Sequence, residues 1–66
     1  MNILLNNKPE ILFDGSTVKK LLENKNIKNK YYAVEINRKI IPKSEYKTYV
    51  IKDGDKIEII TAIGGG

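Results

Sequence analysis

The absence of both cysteine and histidine from so short a chain is the feature that most limits its fold. The 66 residues include no cysteine and no histidine, so disulfides and the usual zinc sites cannot stabilise the domain. A domain of this size buries only about 60% of the surface that its unfolded chain exposes. Nearly every apolar side chain is needed for the core, which leaves little room for a catalytic pocket. We therefore expect one small domain with a binding or carrier role.

The charges point to a well-solvated surface. Twelve basic and eight acidic residues give a net charge of +4, and the lysines are spread along the chain without forming a block. This distribution favours a solvated surface over a nucleic-acid interface. No apolar run approaches the roughly 20 residues that span a bilayer. We expect a cytoplasmic protein that binds neither nucleic acid nor membrane.

The first part of the chain predicts a hairpin and a helix. Residues 1–5 and 8–13 read as strands around the polar turn Asn6-Asn7, with Pro9 tolerated at a sheet edge. Ser16-Thr17 can cap a helix that ends within residues 24–29. Apolar residues at the spacing of one helical face follow this cap at Val18, Leu21 and Leu22.

The second part predicts three more strands. Residues 31–36 alternate in the manner of a strand, a turn at 37–39 leads to a brief fourth strand at 40–41, and Pro42 limits its extension. Residues 43–49 lack periodicity and predict an irregular segment. The pair 50–51 then returns to the core, 53–55 form a turn, and the last strand covers 56–63.

This order of elements predicts an α+β fold, a ubiquitin-like β-grasp in which a mixed sheet of four to five strands packs on one helix. The first and last strands of that topology lie side by side in the middle of the sheet. Residues 1–63 form the domain, and residues 64–66 form a flexible glycine tail.

Gly64, Gly65 and Gly66 are the residues most indicative of function. Glycine has no Cβ, and three extended residues reach about 10 Å, so the tail can pass through a narrow opening in a partner. The terminal carboxyl group is ionised at neutral pH. We hypothesise that a partner holding magnesium-ATP directs the Gly66 carboxylate onto the α-phosphate, forming an acyl adenylate. A glycine-rich end can also be functionless, but its position directly after the last strand favours a carrier.

The chain resembles the ThiS family of sulfur carriers in thiamine biosynthesis. The resemblance covers the whole chain and rests on Met1-Asn2-Ile3-Leu4-Leu5, Thr17-Val18 with Leu21-Leu22, residues 36–42, residues 53–58 and the glycines. It implies that an E1-like adenylyltransferase, ThiF, adenylates Gly66, and that a cysteine desulfurase relay supplies sulfur for a thiocarboxylate. Thiazole synthase, ThiG, then receives the sulfur. The carrier needs no cofactor of its own, and we expect it to be a monomer when free.

Two positions depart from the family pattern, and one surface is a candidate for docking. Lys43 and Tyr46 stand where the family often has arginine and tryptophan, and an exposed lysine and a half-buried tyrosine are the simpler interpretation. Leu4, Ile60 and Ala62 alternate out of phase with the core residues of the two central strands. We expect them to form an apolar patch on the open sheet face, where partners dock.

Other functions stay open at this level. The small subunit of molybdopterin synthase and protein modifiers that form isopeptide bonds share the glycine end. An RNA-binding β-grasp module is less favoured, and would use the net positive charge with stacking side chains at Tyr31, Tyr32, Tyr46 and Tyr49. A catalytic role has the least support, because the carboxylates of Glu35, Glu45 and Glu58 read as solvated surface charges.

Overall fold

A computed structural model describes residues 1–25, 27 and 32–61. The strands are β1 (Asn2–Leu5), β2 (Lys8–Ile11), β3 (Tyr32–Ile36), β4 (Lys39–Ile41) and β5 (Lys56–Thr61), with helix α1 at Val18–Asn24 and a short 3-10 helix at Lys43–Glu45. They form one sheet in the order β2-β1-β5-β3-β4, in which only the β1–β5 pair is parallel. The predicted ubiquitin-like β-grasp is confirmed. In the part of the chain that is described, no helix has the length and apolar character needed to cross a membrane.

Both hairpins turn on two residues with positive φ. These angles are 50° and 67° at Asn6 and Asn7, and 52° and 70° at Asn37 and Arg38. Such turns match the right-handed twist of the strands that they join. The second turn is one residue shorter than the sequence predicts, because Lys39 already pairs with Ile36 in the β3–β4 ladder.

Helix α1 begins and ends where the sequence predicts. Thr17 is its N-cap, and its Oγ1 accepts a hydrogen bond of 3.2 Å from the Lys20 amide. The helix then buries its apolar face against the sheet. The core comprises Ile3, Leu5, Val18, Leu21, Leu22, Val34, Ile36, Ile41, Tyr46, Ile51 and Ile57.

Two predictions on the sheet ends and their connections need correction, and a third extends beyond the described residues. The second strand ends at Ile11, because Ile11 pairs with the first residue of β1, and Phe13 beyond it is exposed. The expected irregular segment at 43–49 opens with the 3-10 helix. The last strand is described to Thr61, and residues 62 and 63 lie outside the described part.

Two expectations on burial were also wrong. Ile51 is in the core as predicted, but its neighbour Val50 is 48% exposed, since adjacent residues in extended backbone point to opposite sides. Tyr46 is buried rather than half-buried, with 7% exposure. The expected exposure of Lys43 is confirmed.

Candidate functional site

The candidate site starts from β5, which lies in the centre of the sheet and leads to the glycines. β5 pairs with β3 over five residues, from Ile57 to Thr61, and with β1 at Lys56 and Ile57. The four tail-side candidates, Ala62, Gly64, Gly65 and Gly66, lie outside the described residues. β5, which precedes them in the chain, is described as far as Thr61.

A buried carboxylate secures the beginning of β5. Asp55 is only 8% exposed. Its Oδ1 accepts a hydrogen bond of 3.0 Å from Asn37 Nδ2, and its Oδ2 accepts one of 2.9 Å from the Lys52 amide. Its backbone carbonyl accepts one of 3.0 Å from the Leu4 amide. These donors offset the cost of burying the charge, and they connect β5 to both β1 and the β3–β4 turn.

Asparagines from the two hairpin turns also bind the edges of β5. Asn37 Oδ1 accepts a hydrogen bond of 3.0 Å from the Lys56 amide, and Asn6 Oδ1 accepts one of 2.9 Å from the Ile59 amide. Their positive φ values explain why asparagine suits these turns, but that signal does not reveal the contacts. Sequence reasoning missed this role of both residues, and it also missed Asp55.

We expect Asn37→Gly to lower the free energy of unfolding by about 1–3 kcal/mol, because it removes two hydrogen bonds and leaves the buried side of Asp55 with one donor fewer. Glycine adopts positive φ without strain. Asn7→Gly is the matched control, since Asn7 has a similar φ and no side-chain hydrogen bond within the described residues. Urea unfolding measures both variants. Equal losses would show that the Asn37 side chain contributes nothing to holding β5.

The open face of the sheet, opposite α1, carries the predicted docking residues. Leu4 is partly buried and Ile60 is 49% exposed. Leu4 is paired with Lys56, four residues before Ile60 on β5, which is about 13 Å along a strand. The structure therefore places both on the expected face but does not bring them together. Ile60 has Ala33 as its cross-strand neighbour.

Charged side chains occupy the middle of this face. Glu35, Arg38, Lys56 and Glu58 line a shallow depression of about 120 Å³. The two glutamates are directly opposite each other on β3 and β5, an arrangement that is unfavourable for like charges. Arg38 and Lys56 bring two positive charges to the same depression. Among the described residues no group of three or more potential metal ligands occurs.

An aromatic stack lies on the other face, beside the end of β5. Tyr32 pairs with Thr61, and its ring is 6.2 Å from that of Tyr46. Lys43 Nζ is 5.3 Å from the centre of the Tyr32 ring, a cation–π geometry. Burial, and then the neighbouring Tyr32, raises the pKa of Tyr46, so its phenol is neutral at physiological pH. Lys43 and Tyr46, the two residues that depart from the family pattern, thus both pack against Tyr32.

Comparison with known proteins decides the family. The model of the ThiS family matches residues 3–66, which includes the three glycines. The chain belongs to the ThiS family. The sulfur carrier protein ThiS of Escherichia coli is 33% identical over 66 residues, which cover all of both chains. The sulfur carrier protein ThiS of Bacillus subtilis is 40% identical over 53 residues, or 80% of each chain.

A solved structure and a larger relative extend the comparison. The crystal structure of a thiamine biosynthesis protein, ThiS, from Geobacter metallireducens superposes with a TM-score of 0.86 at 29% identity and full coverage of both chains. The thiazole synthase of Paramagnetospirillum magneticum is 38% identical over the whole of this chain. The chain spans only one fifth of the length of that relative.

Proposed function

We propose that this chain is a sulfur carrier for thiazole formation in thiamine biosynthesis, and that the carboxylate of Gly66 is the group that is loaded. The observation that carries the proposal is the match to the Escherichia coli sulfur carrier over the full length of both chains. The sheet supports it, because β5, the strand that precedes the glycines in the chain, lies in the centre of the sheet and is held by hydrogen bonds from both hairpin turns. The chain acts as a carrier rather than as a catalyst.

The chemistry proceeds in two displacements followed by a reductive release. An oxygen of the Gly66 carboxylate attacks the α-phosphorus of ATP held with magnesium by an E1-like adenylyltransferase, and the bond to pyrophosphate breaks. A persulfide supplied through a cysteine desulfurase relay then attacks the acyl carbon with its outer sulfur and displaces AMP, giving an acyl disulfide. A thiol of the relay attacks the inner sulfur of that S–S bond, becomes oxidised to a disulfide and releases the thiocarboxylate. The partner provides positioning and charge neutralisation. The carrier provides an ionised carboxylate at the end of a glycine tail without side chains, and it binds no cofactor of its own.

The sulfur acceptor that we propose is a thiazole synthase. Two relatives named thiazole synthase contain a stretch similar to the whole of this chain as one fifth of their length. Two proteins that act one after the other can be joined in one polypeptide. The fused relatives therefore support transfer of sulfur from the carrier to the synthase.

The direct test is the intact mass of the chain after incubation with the adenylyltransferase, magnesium-ATP and a sulfur donor. The expected result is a mass change of one oxygen replaced by sulfur, mapped to Gly66 by fragmentation. Subsequent addition of thiazole synthase and its other substrates should return the carboxylate mass. A chain that keeps its original mass under conditions that convert the Escherichia coli relative would rule out the carrier function.

We expect Ile60→Asp to weaken binding to the adenylyltransferase by about tenfold or more, because it places an unpaired charge in the interface that we propose around Leu4, Ile60 and Ala62. Titration calorimetry measures the affinity. Val50→Asp is the matched control, because Val50 is 48% exposed and Ile60 is 49% exposed, but Val50 pairs with Thr17 away from the open face. Unchanged affinity of Ile60→Asp in a folded chain would remove this surface from the interface.

A further inference from the structure

β5 continues beyond the last residue of β1 that pairs with it. The final described residues of β5 therefore lack β1 as a neighbouring strand. The parallel ladder with β1 covers the pairs Leu4–Lys56 and Leu5–Ile57. β1 then turns away, and the side chain of Asn6 makes the next contact by accepting the amide proton of Ile59. Beyond that hydrogen bond, β1 has no residue left to pair with β5.

The backbone groups at this open edge can be identified from the alternation of the strand. The carbonyl of Ile57 accepts from the Asn6 amide at 2.9 Å, and the Ile59 amide donates to the Asn6 side chain, so these two residues point their backbone groups toward β1. Successive residues alternate in direction. The Ile59 carbonyl and the Thr61 amide therefore point to the side that β1 has vacated. In the described part of the chain neither group has a hydrogen-bond partner.

We propose that this open edge, the Ile59 carbonyl and the Thr61 amide, pairs with an extended backbone segment of the adenylyltransferase when that enzyme receives the glycine tail. The inference rests on the proposed carrier function. The partner strand accepts a hydrogen bond from the Thr61 amide and donates one to the Ile59 carbonyl, adding a strand to the sheet where β1 ends. Recognition through backbone groups suits this part of the chain, because the glycines that follow offer no side chains.

The occupant is the enzyme rather than a second copy of this chain. Five residues follow Thr61, and extended they reach about 17 Å, so a strand paired at Thr61 lies directly at the entrance through which the tail passes. Pairing there also fixes the direction in which the tail leaves the sheet. A second copy on the same edge would cover the base of the tail and hinder its entry into an active site.

Thr61→Pro tests the pairing, because proline removes the amide donor. The amide points away from β3, so the β3–β5 ladder keeps its hydrogen bonds. Thr61→Val is the matched control, which keeps both the amide and a β-branched side chain. We expect Thr61→Pro to raise the dissociation constant of the adenylyltransferase complex about tenfold, and Thr61→Val to change it less than twofold. If the proline variant does not fold, a synthetic chain with an ester in place of the Ile60–Thr61 amide tests the same hydrogen bond, because the ester also lacks the N–H donor.

Hydrogen exchange gives a readout that a purely structural role of Thr61 would not produce. The Thr61 amide should exchange rapidly in the free chain and become at least tenfold slower in the complex. Wild-type affinity of the proline or ester chain, an unprotected amide in the complex, or a self-association abolished by Thr61→Pro would each overturn the proposal. Thiocarboxylate formation by the wild-type chain, measured in parallel, separates these outcomes from a failure of the carrier function itself.

Discussion

Deletion of Gly66 is expected to abolish thiocarboxylate formation while leaving the melting temperature unchanged. The shortened chain still ends in a glycine carboxylate, but this group is withdrawn by about 3.5 Å, the length of one extended residue. A reacting group misplaced by about 1 Å can already lose 100-fold in rate. We therefore expect at least that loss in the single-turnover rate of adenylation, measured as pyrophosphate release.

Gly66→Ala distinguishes an effect of tail length from an effect of side-chain size. This variant keeps the carboxylate at its original distance and adds one methyl group. A large loss in the deletion with a smaller one in the alanine variant would show that reach dominates, and losses of equal size would show that the partner's passage excludes any Cβ. Full sulfur delivery by the chain that lacks Gly66 would contradict the mechanism.

Ile57→Ala is expected to lower the free energy of unfolding by about 2–5 kcal/mol, the usual cost of truncating a buried isoleucine. Ile57 is 1% exposed and lies between Leu5 of β1 and Ile36 of β3. At about 0.05–0.15 kcal/mol per residue, a domain of this size has only about 3–10 kcal/mol to lose. A substantial fraction of the variant should be unfolded at 37 °C, with sulfur loading reduced in proportion.

Ile60→Ala is the control on the opposite face of the same strand. Because Ile60 is 49% exposed, its truncation should change the free energy of unfolding by about 0.5 kcal/mol or less. Chemical denaturation followed by circular dichroism measures both variants under the same conditions. Similar losses for the two would contradict the assignment of the core to one face of β5.

Much of the fold was predictable because local patterns and tertiary structure agree. The spacing of Val18, Leu21 and Leu22 predicted the helix face that is buried, and the threonine before it predicted the cap. Asparagine pairs predicted the first turn, and alternation predicted β3 and β5. The predicted end of a strand was wrong where that end depends on the neighbouring strand. β2 ends at Ile11, which pairs with Asn2, the first residue of β1.

The sequence by itself determined the class of fold and the arrangement of the central strands, since these follow from periodicity and turn residues. It also supplied the hypothesis that Gly66 is the loaded group, which rests on the glycine end. Only the tertiary structure assigned the hydrogen bonds that hold β5. Asn6 and Ile59 are 53 residues apart, and Asn37 and Asp55 are 18 apart. A positive φ explains each asparagine locally, so the residue type alone carries no sign of its partner. Such contacts exist only once the sheet has brought both hairpin turns against the same strand.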